Sequence, residues 1–311
     1  MGYSRTASLS LLLFLSWAQI FLIIPSENGS IPTFNAGSPS GLVYRTDFEN
    51  VTKQDAHRLN MGISNWFEFG GDGGAAMWME GLDRQTTGIT CHSGSRCVGM
   101  ELTDITNSRR SEFDLYPTIA GNEYFVSVWL YLPADWRLHT PNNWYELANP
   151  SFTNGPTFRP YSAIHISQPD ITKDVFNLDL DDRGTGNVLR NYAHVSNFAL
   201  PRGRWFNLQY YVLLHPTNGT VKVWIDGALL FDINNLSTKS PSVAEWSTSI
   251  AKIYYDTSDT FSPYRIWVDD LEIYNAQPAI PGFAWESILV GVIMGLGALA
   301  VMRRRRNLAS S

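Results

Sequence analysis

The chain reads as an all-β sandwich set between two hydrophobic ends. Three observations predict this class. Between residues 41 and 277 short runs alternate apolar with polar residues, and helical periodicity is rare. Gly, Pro, Asn and Asp separate these runs, as turns between strands require. Asp226-Gly227 closes one alternating run, and that pair suits a type I′ hairpin turn, which needs positive φ at both central residues.

Taken in order, the chain begins with Arg5, an apolar stretch over residues 9–24, and Pro25. This pattern predicts a secretory signal peptide over residues 1–25, with an uncleaved signal anchor as the alternative. A Ser/Asn/Gly-rich linker follows over 26–40. The remaining roughly 240 residues, 41–277, suffice for one large β-sandwich domain. Within it, the run 124–131 places Val126, Val128 and Leu130 on one face and Ser127, Trp129 and Tyr131 on the other. The run 175–181 turns Phe176, Leu178 and Leu180 to a core and Asn177, Asp179 and Asp181 away from it. Aromatic-rich residues 205–214 form a long strand, 221–225 enters the hairpin, and 265–274 forms the last strand. There are no internal repeats.

The net charge is −6, and that figure includes the four arginines 303–306 of the tail, so residues 41–277 are acidic. Nucleic-acid binding, which needs a basic face, is excluded on this ground. The chain has two cysteines, Cys91 and Cys97, flanking a short Gly/Ser loop. In an oxidising exterior they are expected to form a disulfide, since two cysteines and His92 do not complete a zinc set. Acceptor sequons stand at Asn28, Asn50, Asn218 and Asn235.

The C-terminal segment, 278–311, carries Pro281-Gly282-Phe283, an apolar run to Met302 and the arginine cluster. From Phe283 to Met302 the run matches the ~20 residues that a bilayer core requires. Arginines beside a span stay cytoplasmic, so the domain before it faces outward. The order of tripeptide, apolar helix and Arg cluster resembles the PGF-type C-terminal sorting signals of archaeal surface proteins. The resemblance implies an archaeal source, an archaeosortase-like processing enzyme, and a membrane tether made by the helix or by a lipid that replaces it.

Across residues 42–275 the order of motifs carries a second resemblance. His92-Ser-Gly-Ser-Arg-Cys97 leads to Arg110-Ser-Glu112, then to Pro201-Arg-Gly-Arg-Trp-Phe206, Gly219-Thr-Val-Lys-Val-Trp-Ile-Asp-Gly227 and Ile266-Trp-Val-Asp-Asp-Leu-Glu-Ile-Tyr274. This series resembles the concanavalin A-like jelly rolls of secreted polysaccharide lyases and their lectin and glucanase relatives. It implies a β-sandwich in which one concave sheet carries the glycan-binding or catalytic groups.

Lyases of the alginate and heparin type use Arg-x-Glu-x-Arg, Gln-x-His and Lys-x-Gly-x-Tyr strands. Gln and Arg neutralise the uronate carboxylate, His or Tyr removes the proton beside it, and Tyr protonates the leaving oxygen. By this resemblance Arg110, Glu112 and His165 are candidate catalytic residues, with Lys252 and either Tyr254 or Tyr255 completing the set. Asp114 stands where the second Arg is expected, and Ala163 where the Gln is expected. Gln168 lies near, on the opposite parity. These departures make extracellular glycan capture the leading expectation, with uronate lyase activity as the alternative and a structural or adhesion role as the second. Trp129, Tyr131 and Trp144 are the expected stacking surface, and Asn177, Asp179 and Gln168 the expected polar contacts. Glycosidase chemistry needs paired carboxylates, for which Asp179, Asp181 and Glu112 are the available residues. Related jelly rolls often hold a structural Ca²⁺ where the first and last strands meet. Asp47, Glu49 and Asp270 are the corresponding candidates, because hard carboxylate oxygens suit that ion.

Overall fold

A computed structural model describes residues 41–55, 58–60, 66–68, 75–102, 109–115, 122–138, 144–152, 161–183, 189–239, 247–255 and 264–278. The expected signal peptide, linker and sorting tail lie outside these residues. Among the described residues there are seventeen strands: β1 (Leu42–Thr46), β2 (Thr52–Asp55), β3 (Arg58–Asn60), β4 (Trp66–Glu68), β5 (Ala75–Glu80), β6 (Cys97–Leu102), β7 (Arg109–Leu115), β8 (Glu123–Tyr131) and β9 (Trp144–Phe152). The series continues with β10 (Tyr161–Ser167), β11 (Phe176–Arg183), β12 (Leu189–Phe198), β13 (Trp205–Leu213), β14 (Gly219–Ile225), β15 (Ala228–Leu236), β16 (Ser247–Tyr255) and β17 (Tyr264–Tyr274). Among the described residues no helix is long and apolar enough to cross a membrane.

Two large sheets contain most of the strands. The eight-stranded sheet runs β15-β14-β13-β8-β17-β6-β5, with β1 also paired to β17. The seven-stranded sheet runs β12-β11-β10-β9-β16-β7-β4. The large sheets pair their strands antiparallel throughout. The core lies between their inner faces, as in a sandwich. Val126, Val128, Leu130, Leu208, Tyr210 and Val223 come from one sheet, and Tyr145, Leu147, Ile164, Ile166, Leu178 and Leu180 from the other. Alternation therefore assigned the inward faces of β8 and β11 correctly. The Asp226-Gly227 hairpin is also present, with φ of 51° and 77° at the two residues, and it joins β14 to β15.

The outer face of the eight-stranded sheet carries its own small core. Trp78, Gly99 and Trp267 stand side by side in register on β5, β6 and β17. Both indoles donate to Glu80 Oε2, at 2.6 and 3.0 Å. Glycine between them is necessary, because a Cβ at residue 99 would collide with the Trp78 ring. The N–H and hydroxyl of Thr86 also donate to Glu80. Burial raises the pKa of this carboxyl, but the four donors outweigh burial and hold it below 4.5.

Cys91 and Cys97 form the expected disulfide. The loop it closes lies against the point where β17 passes from β6 to β1. There the Ser93 N–H donates to Asp269, the Ser93 hydroxyl donates to Asp270, and His92 Nδ1 lies 2.5 Å from Asp270 Oδ2. Asp269 is fully buried, and burial pushes its carboxyl up to about 7.

Candidate functional site

The outward face of the seven-stranded sheet contains a transverse row of ionisable residues. Six of its seven strands contribute one residue each, and the pairing register aligns them. Arg110 on β7 pairs with Tyr254 on β16. Tyr254 pairs with Glu146 on β9, and Glu146 with His165 on β10. His165 pairs with Asp179 on β11, and Asp179 with His194 on β12. Directly paired residues share a face, so the six form one line across the sheet.

Local sequence explains the alignment. Ile164 and Ile166 point into the core, which turns His165 the other way; Leu178 and Leu180 do the same for Asp179. On β9 the register shifts. Ile164 pairs with Ala148 and His165 with Glu146, leaving Leu147 as an extra residue. Leu147 and Ala148 both enter the core, and Glu146 is returned to the outer face.

The polar groups of this line are largely sequestered. Glu146 is 0% exposed, His165 3% and Asp179 8%. Asp179 is held from two sides: the Ser167 hydroxyl donates to Oδ2 at 3.0 Å, and His194 Nδ1 lies 2.6 Å from Oδ1. A carboxylate only accepts, so the imidazole proton sits on Nδ1. The His194 ring itself is 46% exposed.

The sequence-derived candidates are distributed as follows. Arg110, His165, Tyr254 and Asp179 fall on the row. Glu112 pairs with Lys252 one step along β7 and β16, on the same face by alternation. Tyr255 pairs with Arg109, which puts it on the opposite face and selects Tyr254 of the two tyrosines. Asn177 pairs with Ser167 near the start of β11, and Trp144 opens β9, also opposite Ser167.

The expected stacking surface is not a single surface. Trp129 and Tyr131 lie on β8 of the eight-stranded sheet, so they cannot share a wall with Trp144 or His165. The ring of His92 covers Trp129 at 3.8 Å, and Tyr131 packs against Trp205 and Trp267. Gln168 is likewise committed elsewhere. It is 1% exposed, its Oε1 accepts from the Leu138 N–H, and its Nε2 donates to the Lys173 carbonyl. Glu146 and His194 were missed. The bulge at Leu147 hides the period that would have placed Glu146, and β12 alternates too weakly to assign a face.

The calcium candidates accept hydrogen bonds from nearby backbone and side-chain donors. Glu49 accepts from the Ser95 N–H and hydroxyl and from the Arg96 N–H, and Asp47 accepts from the Glu49 N–H. Asp270 is bound by His92 and Ser93. Calcium takes six to eight oxygen ligands, whereas Glu49 and Asp270 serve donors of the 92–96 loop. Among the described residues, the group of three possible ligands close enough for an ion is Cys91, Cys97 and Asp269, and its sulfurs are in the disulfide.

No curated protein matches the chain. Among solved structures, the endo-β-1,4-glucuronan lyase of the fungus Trichoderma reesei aligns at a TM-score of 0.50 and 14% identity, covering 69% of this chain and 92% of that one. The alginate lyase vAL-1 from Chlorella virus aligns at 0.40 and 9%, covering 60% and 87%. The cellulose-induced protein Cip1 aligns at 0.42 and 13%, covering 75% and 97%. The first of these shows the shared sandwich fold. A model of the polysaccharide lyase family matches residues 62–271, a span that includes every strand of the row. On the strength of that match, the chain belongs to the polysaccharide lyase family.

Proposed function

We propose that the protein cleaves a uronate-containing polysaccharide by β-elimination on the outward face of the seven-stranded sheet. The observation that carries this reading is the single register line Arg110–Tyr254–Glu146–His165–Asp179–His194. Family membership supports it over glycan capture alone, which the sequence placed first.

In this mechanism Arg110 offsets the charge of the substrate carboxylate, which acidifies the proton on the adjacent carbon. His165 takes that proton. The electron pair left behind forms a carbon–carbon double bond, and the glycosidic carbon–oxygen bond breaks. Tyr254 gives its phenolic proton to the departing oxygen. Products are a new reducing end and an unsaturated uronate.

Two departures from the lyase pattern have local answers. Ala163 replaces the expected Gln, but it lies opposite the irregular Asn149–Pro150 stretch of β9, and Asn149 is buried on the same outward face. Its amide takes the place of the missing one. Asp114 replaces the second Arg, yet it stands off the row. It is roughly 13 Å along β7 from Arg110 and roughly 10 Å across two strands from Asn149.

The hydrophobic ends and PGF-type tail support an exported protein held at the outer face of the cell membrane. Three of the four sequons, Asn50, Asn218 and Asn235, are on exposed residues, in keeping with that placement.

The test is the absorbance of the new double bond on incubation with alginate, glucuronan and heparin-like polymers. Wild type is expected to produce it on at least one. His165→Ala and Tyr254→Phe are expected to lower the rate by about a hundredfold or more. No signal from wild type on any polyuronate refutes the reading.

A further inference from the structure

The proposed reaction uses the β7–β10 part of the row, and the β11–β12 part remains. We infer that Asp179 and His194 form a distal sugar subsite, which holds an acidic polysaccharide several residues away from the reacting uronate. This inference rests on the lyase reading and extends it.

Distance separates the two ends of the row. Five inter-strand steps lie between Arg110 and His194, and at about 4.8 Å each they span roughly 24 Å. That length exceeds one sugar and accommodates an oligosaccharide laid across the strands. His194 is four steps from Tyr254, or roughly 19 Å, too far to touch the same bond.

The geometry of the pair suits a binding group. Asp179 is nearly buried and anchored by the Ser167 hydroxyl, so it is a fixed base for the imidazole. It engages Nδ1 at 2.6 Å and sets the ring's tautomer. A ligand therefore meets the imidazole through Nε2. A ring that is 46% exposed on an edge strand contributes little to the core, which sets it apart from the buried His165 in the same row. With its proton on Nδ1, the pinned imidazole presents Nε2 outward as an acceptor, which matches a sugar hydroxyl.

The test compares polyuronate of high degree of polymerisation with the trisaccharide of the same sugar, using purified full-length protein. His194→Ala is expected to raise the ratio of polymer KM to trisaccharide KM by about five- to tenfold, the range of one lost hydrogen bond. His194→Gln, which keeps a side-chain acceptor, is expected to recover part of that ratio. A direct binding titration with the polymer gives the same comparison without turnover, and thermal melting of each variant checks the fold. An equal loss on both substrates, or no change on either, overturns the subsite. Failure of wild type to cleave or bind any polyuronate is a different result, and it refutes the lyase reading on which the subsite rests.

Discussion

Glu80 offers a demanding test of how the eight-stranded sheet is held together. Its carboxylate is 1% exposed and accepts from Trp78, Trp267 and both donors of Thr86. In Glu80→Ala the two indole N–H groups lose their acceptor in a buried place. Each stranded buried donor costs about 1–3 kcal/mol, so the pair alone costs about 2–6 kcal/mol. The Thr86 donors lie nearer solvent and add less. For a domain of this size 1 kcal/mol moves Tm by about 2–4 °C, so a mid-range loss of about 4 kcal/mol lowers Tm by roughly 8–16 °C. Melting followed by near-ultraviolet circular dichroism reports on Trp78 and Trp267 directly. The carboxyl pKa is lowered in the fold, so its contribution is present above 4.5 and is lost as pH falls toward the folded value. The difference between wild type and Glu80→Ala should therefore be full at neutral pH and shrink below about 4.5. A change of Tm under about 2 °C at neutral pH, or a difference that grows on acidification, refutes the reasoning.

Further outcomes follow from other parts of the fold. Gly99→Ala displaces Trp78 from its place beside Trp267 and is expected to destabilise by about 1–3 kcal/mol, an overpacking cost measured by chemical denaturation. Replacing Cys91 and Cys97 by serine frees the 91–97 loop, and loop-closure entropy for so short a ring puts the loss at about 2 kcal/mol, checked by melting with and without reductant. Chelation with EDTA is expected to leave Tm unchanged, because Glu49 and Asp270 are occupied by loop donors; a Tm raised by added calcium contradicts that assignment. Asn149→Ala is expected to lower turnover of polyuronate by about tenfold or more, while Asp114→Ala changes it by less than about twofold, read in a steady-state assay.

How far the sequence reached depended on the kind of information each feature carries. Period-two alternation revealed the inward faces at Val126, Val128, Leu130, Phe176, Leu178 and Leu180, because a strand buried on one face must alternate. Asp226-Gly227 revealed its hairpin because few residue pairs tolerate two positive φ angles. The Cys91–Cys97 pairing followed from there being two cysteines. Alternation does not say to which sheet a strand belongs, and this is why Trp129 and Tyr131 were grouped with Trp144 when they occupy the other sheet. Pairing register is a long-range property, so neither the selection of Tyr254 over Tyr255 nor the alignment of Glu146 with His165 was legible. The bulge at Leu147 made the second of these harder, since it inverts the parity of everything beyond it. The weight placed on Asp114 also changed for a spatial reason: it occupies the expected motif position but lies away from the row.

The central claim is that the outward face of the seven-stranded sheet breaks glycosidic bonds by elimination rather than merely holding glycan or hydrolysing it. The most direct measurement is the structure of the product released from a pure polyuronate, by nuclear magnetic resonance and mass spectrometry. Elimination by wild type yields oligosaccharides with an olefinic proton and an unsaturated uronate at the non-reducing end, and His165→Ala yields none. Saturated oligosaccharides carrying an added water, or polymer bound and recovered intact, would contradict the account.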